Sequence, residues 1–363
     1  MSAQKILFVI DRYVGPNAGT EGQLLKLVNG LNEASYECRL LVLENTQWIE
    51  DSHFPCKVDC LGSSSIKSLS IWYKLINLAK IYKKQGFKLA HIFFNDSSVI
   101  CPPIFRFFGI KSVISRRDMG FWYNKTYKTL LPITGKFVAG VLTNSNAVKK
   151  ITSEIEKISL SKIDVIYNGI ELKNLAPIDE IATFKGQSKL IGLVANIRKI
   201  KRIDDAIKAL YYLEDLDVKL LIVGAGDVNS LQEVVDEHGL KEKVMFTGGV
   251  CNPSNYMQYV DIGVQCSESE GLSNTIVEFQ ILGKPVVCSN VGGNPETIEH
   301  EVTGFLYKVG DIQSLVSCLR RLLADELLYN SFSERAKSIS SKKFGLNSMI
   351  TNHKAYYKKI LEK

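Results

Sequence analysis

Short apolar runs rich in β-branched residues alternate along this chain with longer segments of helical spacing. The alternation is typical of βαβ units around a parallel sheet, because strands covered on both faces are apolar throughout. The pattern runs to about residue 168 and restarts after residue 187. The first series is KILFVI, CRLLVL, LAHIFF, KSVISR, GVLTNS and IDVIYN, and the second is KLIGLVAN, VKLLIVG, KVMFTG, DIGVQC, KPVVCS and TGFLYKV. The sequence therefore predicts an α/β protein with two doubly wound parallel sheets.

The length of the chain also indicates two domains, since 363 residues exceed one ordinary core. Between the two strand series lies GIELKNLAPIDEIATFKGQS, a polar segment with Gly and Pro that is typical of a linker. We place the boundary at 172–187, which gives a first domain over 1–172 and a second over 187–340. The last segment, 341–363, has helical spacing but belongs to no βα unit, so we expect a helix that packs across the domain boundary.

Composition argues against a disulfide-bonded, a zinc-binding and a membrane-spanning protein. The eight cysteines form no Cys-x-x-Cys pair, which favours buried thiols in a reducing compartment, and the five histidines lack the short spacings of zinc sites. We therefore expect neither a metal nor a resident cofactor. The chain opens directly on KILFVI and contains no apolar stretch long enough to span a bilayer, so we expect a cytoplasmic protein.

The positive charge is confined to the first half of the chain. The net charge is +7, with 22 basic and 14 acidic residues in 1–172 against 23 and 24 in 173–363. This asymmetry predicts an anionic partner, and we expect peripheral contact with the inner face of the cytoplasmic membrane rather than with nucleic acid. The helical segment 70–84 either contacts that surface or covers the sheet, and we favour the second interpretation.

A candidate binding site lies in the segment 261–298, DIGVQCSESEGLSNTIVEFQILGKPVVCSNVGGNPETI. A strand is predicted to end near Cys266, and a helix to run from Thr275 to Gly283. The positive end of this helix would attract a phosphate, and the carboxylates of Glu270 and Glu278 would accept hydrogen bonds from a polyhydroxyl ligand. Two simpler interpretations stay open: a capping box from Thr275 to Glu278, and a solvated turn carboxylate at Glu270.

This segment resembles the signature of the retaining glycosyltransferases of family 4, which have the GT-B fold of two Rossmann-like domains facing a central cleft. Its pattern is met by Asp261, Ser267, Glu270, Gly271, Glu278, Gly283, Pro285, Val286, Val287, Ser289, Gly292, Gly293 and Glu296. Cys266 replaces the usual proline and Phe279 the usual alanine, and we interpret both as packing changes. VIYNGIE, LTNSNAV, LLIVGAGD and VMFTGGV resemble further family motifs, so the likeness covers nearly the whole chain.

The resemblance implies roles for residues of the second domain. Glu278 would contact the ribose of the donor, and Glu270 would contact the donor sugar. The backbone of the donor-binding residues would meet the diphosphate or the sugar: Gly271, Leu272, Ser273 and Asn274. NIRKIKRIDDAI is similar to the family segment that carries an arginine and a lysine for the leaving phosphate. Lys201 matches the lysine, but Asn196 takes the place of the arginine. The guanidinium would then come from Arg198.

In the first domain the resemblance is looser. The loop DRYVGPNAGTEGQLLKL corresponds to a family loop that faces donor phosphate and acceptor, and it offers Gly19 and Thr20. A family histidine that contacts the donor sugar is absent from KSVISRRDMGFWYN, where Arg117 takes its place beside Arg116 and Asp118. These three residues are candidates for the acceptor side. His91 matches another strand-end histidine or is a core residue.

The resemblance implies a metal-independent hexosyltransferase that moves a sugar from a UDP- or GDP-sugar to a hydroxyl of a glycan or lipid-linked acceptor, in bacterial polysaccharide or glycolipid biosynthesis. Two alternatives stay open. VGAGDVN suggests a nicotinamide-dependent oxidoreductase, although it has Asn229 in place of the third glycine. The chain could also bind a nucleotide sugar without transfer, or be a GT-B epimerase.

Overall fold

The computed structural model describes residues 4–16, 19–51, 53–63, 68–172 and 175–362. The chain forms two compact units, and the first contains both ends of the chain: Met1–Gly169 and Leu346–Lys363. The second unit is Ile170–Gly345. The division therefore falls after Gly169, before the segment 172–187 where the sequence places it. Part of that segment, Asp179–Lys185, is a helix whose Ile181 is fully buried in the core of the second unit.

The first unit contains a seven-stranded parallel sheet in the order β3-β2-β1-β4-β5-β6-β7. Its strands are β1 (Lys5–Ile10), β2 (Glu37–Val42), β3 (Lys57–Cys60), β4 (Leu89–Ile92), β5 (Lys111–Arg116), β6 (Gly140–Thr143) and β7 (Ile163–Val165). Six of these match the predicted runs. The sequence missed β3, an edge strand with Lys57 and Asp59 that is not buried on both faces.

Helices cover both faces of this first sheet. They are α1 (Gly19–Glu33), α2 (Gln47–Asp51), α3 (Leu69–Lys84), α4 (Asp96–Phe107), α5 (Lys125–Thr134), α6 (Asn146–Glu156) and the last helix of the chain, α15 (Leu346–Glu362), with 3₁₀ helices at Gly135–Phe137 and Leu160–Lys162. One core packs α3, α4 and α5 on the sheet, and the other packs α1 and α15. α3 buries Ile71, Leu75, Ala79 and Tyr82, so the sheet-covering interpretation of this helix is confirmed.

The second unit contains a six-stranded parallel sheet in the order β10-β9-β8-β11-β12-β13. Its strands are β8 (Lys189–Val194), β9 (Val218–Val223), β10 (Val244–Phe246), β11 (Ile262–Gln265), β12 (Val286–Ser289) and β13 (Gly304–Tyr307). Its helices are α7 (Asp179–Lys185), α8 (Ile203–Tyr211), α9 (Asn229–Glu237), α10 (Ser254–Met257), α11 (Asn274–Ile281), α12 (Asn294–Thr297), α13 (Ile312–Ala324) and α14 (Glu326–Phe344), with a 3₁₀ helix at Lys199–Lys201. All six strands were predicted from the sequence.

Two departures from the family pattern are buried in this unit. Cys266 and Phe279 are each 1% exposed. The ring of Phe279 lies against Gly263 of β11, where an added Cβ would approach the ring to 2.6 Å. The larger side chain therefore packs against a strand residue that has none.

No helix within the described ranges is both long and apolar enough to cross a lipid bilayer.

Candidate functional site

Glu270 lies in the loop between β11 and α11, at the carboxyl edge of the second sheet, where open parallel sheets bind ligands. Its Oε1 accepts three hydrogen bonds: from Lys201 Nζ at 2.6 Å, from Gln265 Nε2 at 2.7 Å and from Ser267 Oγ at 2.7 Å. Its Oε2 accepts no hydrogen bond from any described residue. One carboxylate oxygen thus fixes the side chain, and the other keeps its lone pairs for a ligand.

Gln265 is a site residue that the sequence analysis missed. It is the last residue of β11, and its Nε2 also donates to Ser267 Oγ at 2.7 Å. Its position inside the family segment was visible in the sequence, but a glutamine at a strand end gives no signal of its partner. Only the fold brings Gln265, Ser267 and Glu270 together.

The cationic side of this site comes from the loop after β8. Lys201 closes the 3₁₀ helix Lys199–Lys201, which places its ammonium against Glu270. Arg198 and Asn196 are both exposed, and Arg198 forms no ion pair or hydrogen bond with any described side chain. Arg202 is engaged instead with Asp205 and Glu268. Of the two arginines in this loop, the structure therefore leaves Arg198, and not Arg202, open to a ligand.

α11 begins at Asn274, with Ser273 as its N-cap in extended conformation and without a side-chain cap. The capping-box interpretation is wrong, because Thr275 lies inside the helix and its hydroxyl donates to the carbonyl of Val194 at 3.2 Å. No described residue accepts a hydrogen bond from the backbone N–H groups of Gly271, Leu272 or Ser273. These donors, at the positive end of a helix, form an arrangement suited to an anion.

Glu278 lies one turn into α11 and is partly exposed. Glu278 is thus carried by the helix that directly follows the loop of Glu270.

The backbone of Glu270 is held by the turn after β12. Its carbonyl accepts the N–H of Gly293 at 3.0 Å, and Gly292 lies so close that an added Cβ would stand 1.9 Å from the same oxygen. Gly292 has a φ of +50°, which a residue with a side chain adopts only at a cost. The Gly-Gly pair of the predicted motif thus positions the loop of Glu270.

In the first unit, four predicted residues line one pocket. They are Thr20, Arg116, Arg117 and Asp118, and the pocket is completed by Phe93, Phe94, Asn95, Ser115 and Trp122. The pocket lies at the carboxyl ends of β4 and β5 and beside the start of α1. Gly19 begins α1 and is exposed, whereas residues 17 and 18 of the glycine-bearing loop lie outside the described residues.

Arg116 is committed to the interior of the first unit. It is 4% exposed, and its Nε donates to Glu156 Oε1 at 2.6 Å. Its Nη1 donates to Ser98 Oγ and to the carbonyl of Phe94. Arg116 is therefore less available to a ligand than the sequence suggested.

Asp118 accepts hydrogen bonds on Oδ1 from the N–H of Gly120 at 2.7 Å and from Trp122 Nε1 at 2.9 Å. Burial raises the pKa of its carboxyl above the ordinary value, although these hydrogen bonds act in the opposite direction. Asp118 thus orders the turn that follows β5.

His91 is fully buried in the core of the first unit. Its Nδ1 is 2.6 Å from the hydroxyl of Tyr357 in α15, and its Nε2 is 2.8 Å from Ser115 Oγ. Burial holds the pKa of His91 well below its ordinary value. Both ring nitrogens are occupied, so the structure gives His91 the place of a core residue behind the pocket.

Among the described residues, no group of three or more His, Cys, Asp or Glu side chains is arranged to hold a metal ion.

The comparison with known families finds a match within the second unit. Residues 177–339 match the model of the family described as "Glycosyl transferases group 1". The match covers less than half of the chain. The matched range contains Lys201, Glu270 and Glu278.

Curated relatives differ in how much of this chain they match. The N-acetyl-alpha-D-glucosaminyl L-malate synthase of Bacillus anthracis is 27% identical over 206 residues, which are 55% of this chain and 54% of that relative. The chain thus matches about half the length of that relative. The UDP-Gal:alpha-D-GlcNAc-diphosphoundecaprenol alpha-1,3-galactosyltransferase of Escherichia coli is 25% identical over 374 residues, which cover 92% of this chain and 95% of the relative.

Among solved structures, Alr3699/HepE of Anabaena in complex with UDP and glucose superposes with a TM-score of 0.82 at 21% identity, covering 98% of this chain and 100% of that one. This likeness shows the fold. The two parallel-sheet units are those of the GT-B glycosyltransferases, as the sequence predicted.

Proposed function

We propose that this chain is a retaining, metal-independent glycosyltransferase that moves a hexosyl group from a nucleotide sugar to a hydroxyl of an acceptor. The observation that carries the proposal is the loop before α11, where Glu270 is fixed through one oxygen beside three N–H groups that no described residue accepts. Such a loop offers acceptors for sugar hydroxyls next to donors for phosphate.

In the proposed reaction the departing nucleoside diphosphate gains negative charge. The N–H groups of Gly271, Leu272 and Ser273 and the positive end of α11 would stabilise that charge, together with Lys201 and Arg198. The ammonium of Lys201 has three N–H donors, of which Glu270 takes one. Glu270 would orient the donor sugar through Oε2, and Glu278 would bind the ribose.

Two comparisons favour UDP as the nucleotide. The relative of E. coli carries UDP-Gal in its name, and the Anabaena structure holds UDP and glucose. The same relative acts on a sugar linked to diphosphoundecaprenol, which favours a lipid-linked glycan acceptor in bacterial polysaccharide or glycolipid biosynthesis. We propose both for this chain.

The motif VGAGDVN, which suggested a nicotinamide-dependent oxidoreductase, has a structural explanation in this chain. Gly224 follows β9 with a φ of +156°, and an added Cβ would stand 1.9 Å from the carbonyl oxygen of Ala195. The glycine of VGAG thus permits the close approach of two strand ends in this unit, and the motif needs no dinucleotide to explain it.

A coupled assay for UDP release tests the proposed function. The purified chain is incubated with UDP-glucose, UDP-galactose and UDP-N-acetylglucosamine, with and without lipid-linked acceptors, and binding of UDP, GDP and NADH is measured in parallel. We expect UDP to bind more tightly than NADH. We also expect Glu270→Gln to lower turnover about 100-fold, because misplacement of a reacting group costs that much.

The matched control for this assay is Glu268→Gln, on the same loop, whose carboxylate is half exposed and pairs with Arg202 at 3.1 Å. It should turn over at close to the wild-type rate. Unchanged turnover in Glu270→Gln, with UDP still released by the wild type, would overturn the role of Glu270. UDP binding without release from any donor would instead support a non-catalytic protein.

We also propose that the first unit contacts an anionic membrane surface. Residues 60–153 contain 15 Lys and Arg but only two acidic residues. The same range exposes large apolar side chains: Leu69, Tyr73, Ile81, Phe107, Phe121, Ile133 and Phe137. Basic charge with exposed apolar side chains is the combination that binds anionic lipid surfaces.

A further inference from the structure

Arg117 differs from the other guanidinium of its pocket in having no counter-ion. Arg116 pairs with Glu156, whereas no described carboxylate lies within 4.0 Å of Arg117. Arg117 donates from Nη1 to the amide oxygen of Asn168 at 3.2 Å, and its Nε is buried without any partner among the described residues. A cation that is partly withdrawn from water and has no anion beside it is costly, so Arg117 is a candidate for a site that an anion completes.

The surroundings of Arg117 on the protein side are neutral. Its guanidinium lies 5.8 Å from the centre of the Phe93 ring, and behind it are His91 and His353, both of which burial keeps neutral. Burial lowers the pKa of Arg117 to about 10, and the charge interaction with Tyr357 acts in the opposite direction. The charge of Arg117 is therefore not balanced from within the core.

Besides Arg117, the pocket is lined by neutral polar groups. Neither the hydroxyl of Thr20 nor the side-chain amide of Asn95 forms a hydrogen bond with another described residue. Asp118 also lines the pocket, but its Oδ1 is bound by the N–H groups of Gly120 and Trp122. Together, this hydroxyl, this amide and the guanidinium match the several oxygens of a phosphate.

We infer that this pocket of the first unit is an oxyanion site, centred on Arg117, that binds a phosphate group of the acceptor. The assignment of this phosphate to an acceptor rests on the proposed function. A phosphate fits better than a carboxylate because the half of the chain that contains the pocket has a net charge of +8, from 22 basic and 14 acidic residues. The guanidinium would bind two phosphate oxygens side by side, and Thr20 and Asn95 would bind the others.

The inference is tested by calorimetric titration of pyrophosphate into the full chain at constant ionic strength. Saturating UDP is present, so that the proposed diphosphate site of the second unit is occupied. We expect pyrophosphate to bind wild type, and Arg117→Met to weaken that binding at least about tenfold, as is common for a lost charged hydrogen bond. Arg106→Met, which removes an exposed arginine of the same unit, serves as the control and should bind as wild type does.

Separate titrations with inorganic phosphate, an alkyl diphosphate and acetate identify the source of the anion. Tighter binding of the alkyl diphosphate than of free phosphate points to a lipid-linked acceptor, and tighter binding of free phosphate points to a small soluble acceptor. Equal pyrophosphate binding by wild type and Arg117→Met would overturn the site. Binding of acetate in preference to every phosphate probe would overturn the choice of phosphate.

Two further measurements distinguish a loss of the anion site from a general loss of folding in Arg117→Met. Thermal unfolding without anions should show Arg117→Met at least as stable as wild type, because the variant removes a partly buried charge that lacks a counter-ion. A large loss of stability would contradict the inference. Arg117→Lys should regain part of the pyrophosphate binding. If UDP fails to bind, the proposed function is in question, whereas the comparison of wild type with Arg117→Met can still be made without UDP.

Discussion

His353 and His91 are two buried histidines that lie against each other in the first unit, with ring centres 5.9 Å apart. His353 is 2% exposed, and its Nδ1 is 2.9 Å from the carbonyl of Met349. Burial lowers the pKa of His353 to about 3, well below its ordinary value of 6.5. The folded protein therefore keeps this ring neutral at pH values where the unfolded chain protonates it.

This difference predicts acid sensitivity. Since the unfolded state binds the proton first, the contribution of His353 to stability is present above pH 6.5 and is lost as the pH falls toward the folded pKa of about 3. His353→Phe removes that contribution. Between pH 7 and pH 5 we expect the free energy of unfolding of the variant to fall by about 2 kcal/mol less than that of wild type.

Urea unfolding at both pH values measures the effect. His53→Gln, which removes an exposed histidine of the same unit, should follow wild type. An identical pH dependence in His353→Phe and wild type would contradict the prediction.

The residues of the candidate site show what a sequence can reveal at this scale. Glu270 was predicted from its place in a motif, since family residues recur at fixed spacing. The partner of Arg116 was not predicted, because Glu156 lies 40 positions away and only the packing of α6 brings it close. His91 had two interpretations in the sequence, and burial, which is a property of the whole fold, distinguishes them.

At the scale of elements, the candidate site around Glu270 in the second unit depends on two loops at one sheet edge. The loop between β11 and α11 carries Glu270, and the turn after β12 carries Gly292 and Gly293. Because the Gly293 N–H binds the carbonyl of Glu270, the second loop fixes the backbone of the first. The position of the Glu270 carboxylate should therefore respond to a change in a residue that makes no contact with its side chain.

Gly292→Ala tests this dependence. An added Cβ would stand 1.9 Å from the Glu270 carbonyl oxygen, so the loop must move. We expect a loss of stability of more than about 1 kcal/mol, beyond the cost of the left-handed backbone alone, and a loss of UDP-induced thermal stabilisation.

Gly239→Ala is the matched control, since Gly239 has a φ of +66° with no atom within 4 Å of an added Cβ. It should show the backbone cost and keep the response to UDP. Retention of that response in Gly292→Ala would show that the turn does not position the Glu270 loop.

Elements differ in how well the sequence predicts them. The central strands of both units were predicted because burial on two faces makes them continuously apolar. β3 was not predicted, because an edge strand does not need a continuously apolar sequence. Its charged residues interrupt the apolar pattern by which the other strands were recognised. The prediction of a capping box was wrong for a related reason. The hydroxyl of Thr275 donates a hydrogen bond to the carbonyl of Val194, 81 positions earlier, and this tertiary contact replaces the local one that the sequence pattern predicted.

At the scale of the whole molecule, the chain leaves its first unit after Gly169 and returns to it at Leu346. The returning helix α15 buries Met349, Tyr356, Tyr357 and Ile360 in the core that it shares with α1. The helical spacing of this segment was visible in the sequence. The element against which this helix packs could not be predicted. An amphipathic pattern shows that one face of a helix is buried, but it does not show which element covers that face.

The distribution of charge is also a property of the whole molecule, and it leads to a prediction about membranes. α3, α4 and α5 cover one face of the first sheet, and the range 60–153 that contains them carries 15 basic and two acidic residues. Phe107 and Phe121 in this range are 83% and 82% exposed. We expect the chain to sediment with vesicles of phosphatidylglycerol and not with vesicles of phosphatidylcholine, and to be released as salt rises.

Replacement of both aromatic side chains, Phe107→Ser with Phe121→Ser, should weaken sedimentation about tenfold or more, because partial burial of two Phe side chains accounts for that difference. Leu327→Ser is the control, since Leu327 is 84% exposed but lies in the second unit. It should bind vesicles as wild type does. Equal binding to both kinds of vesicle, or equal losses in the two variants, would place the membrane contact elsewhere than on the basic helices of the first unit.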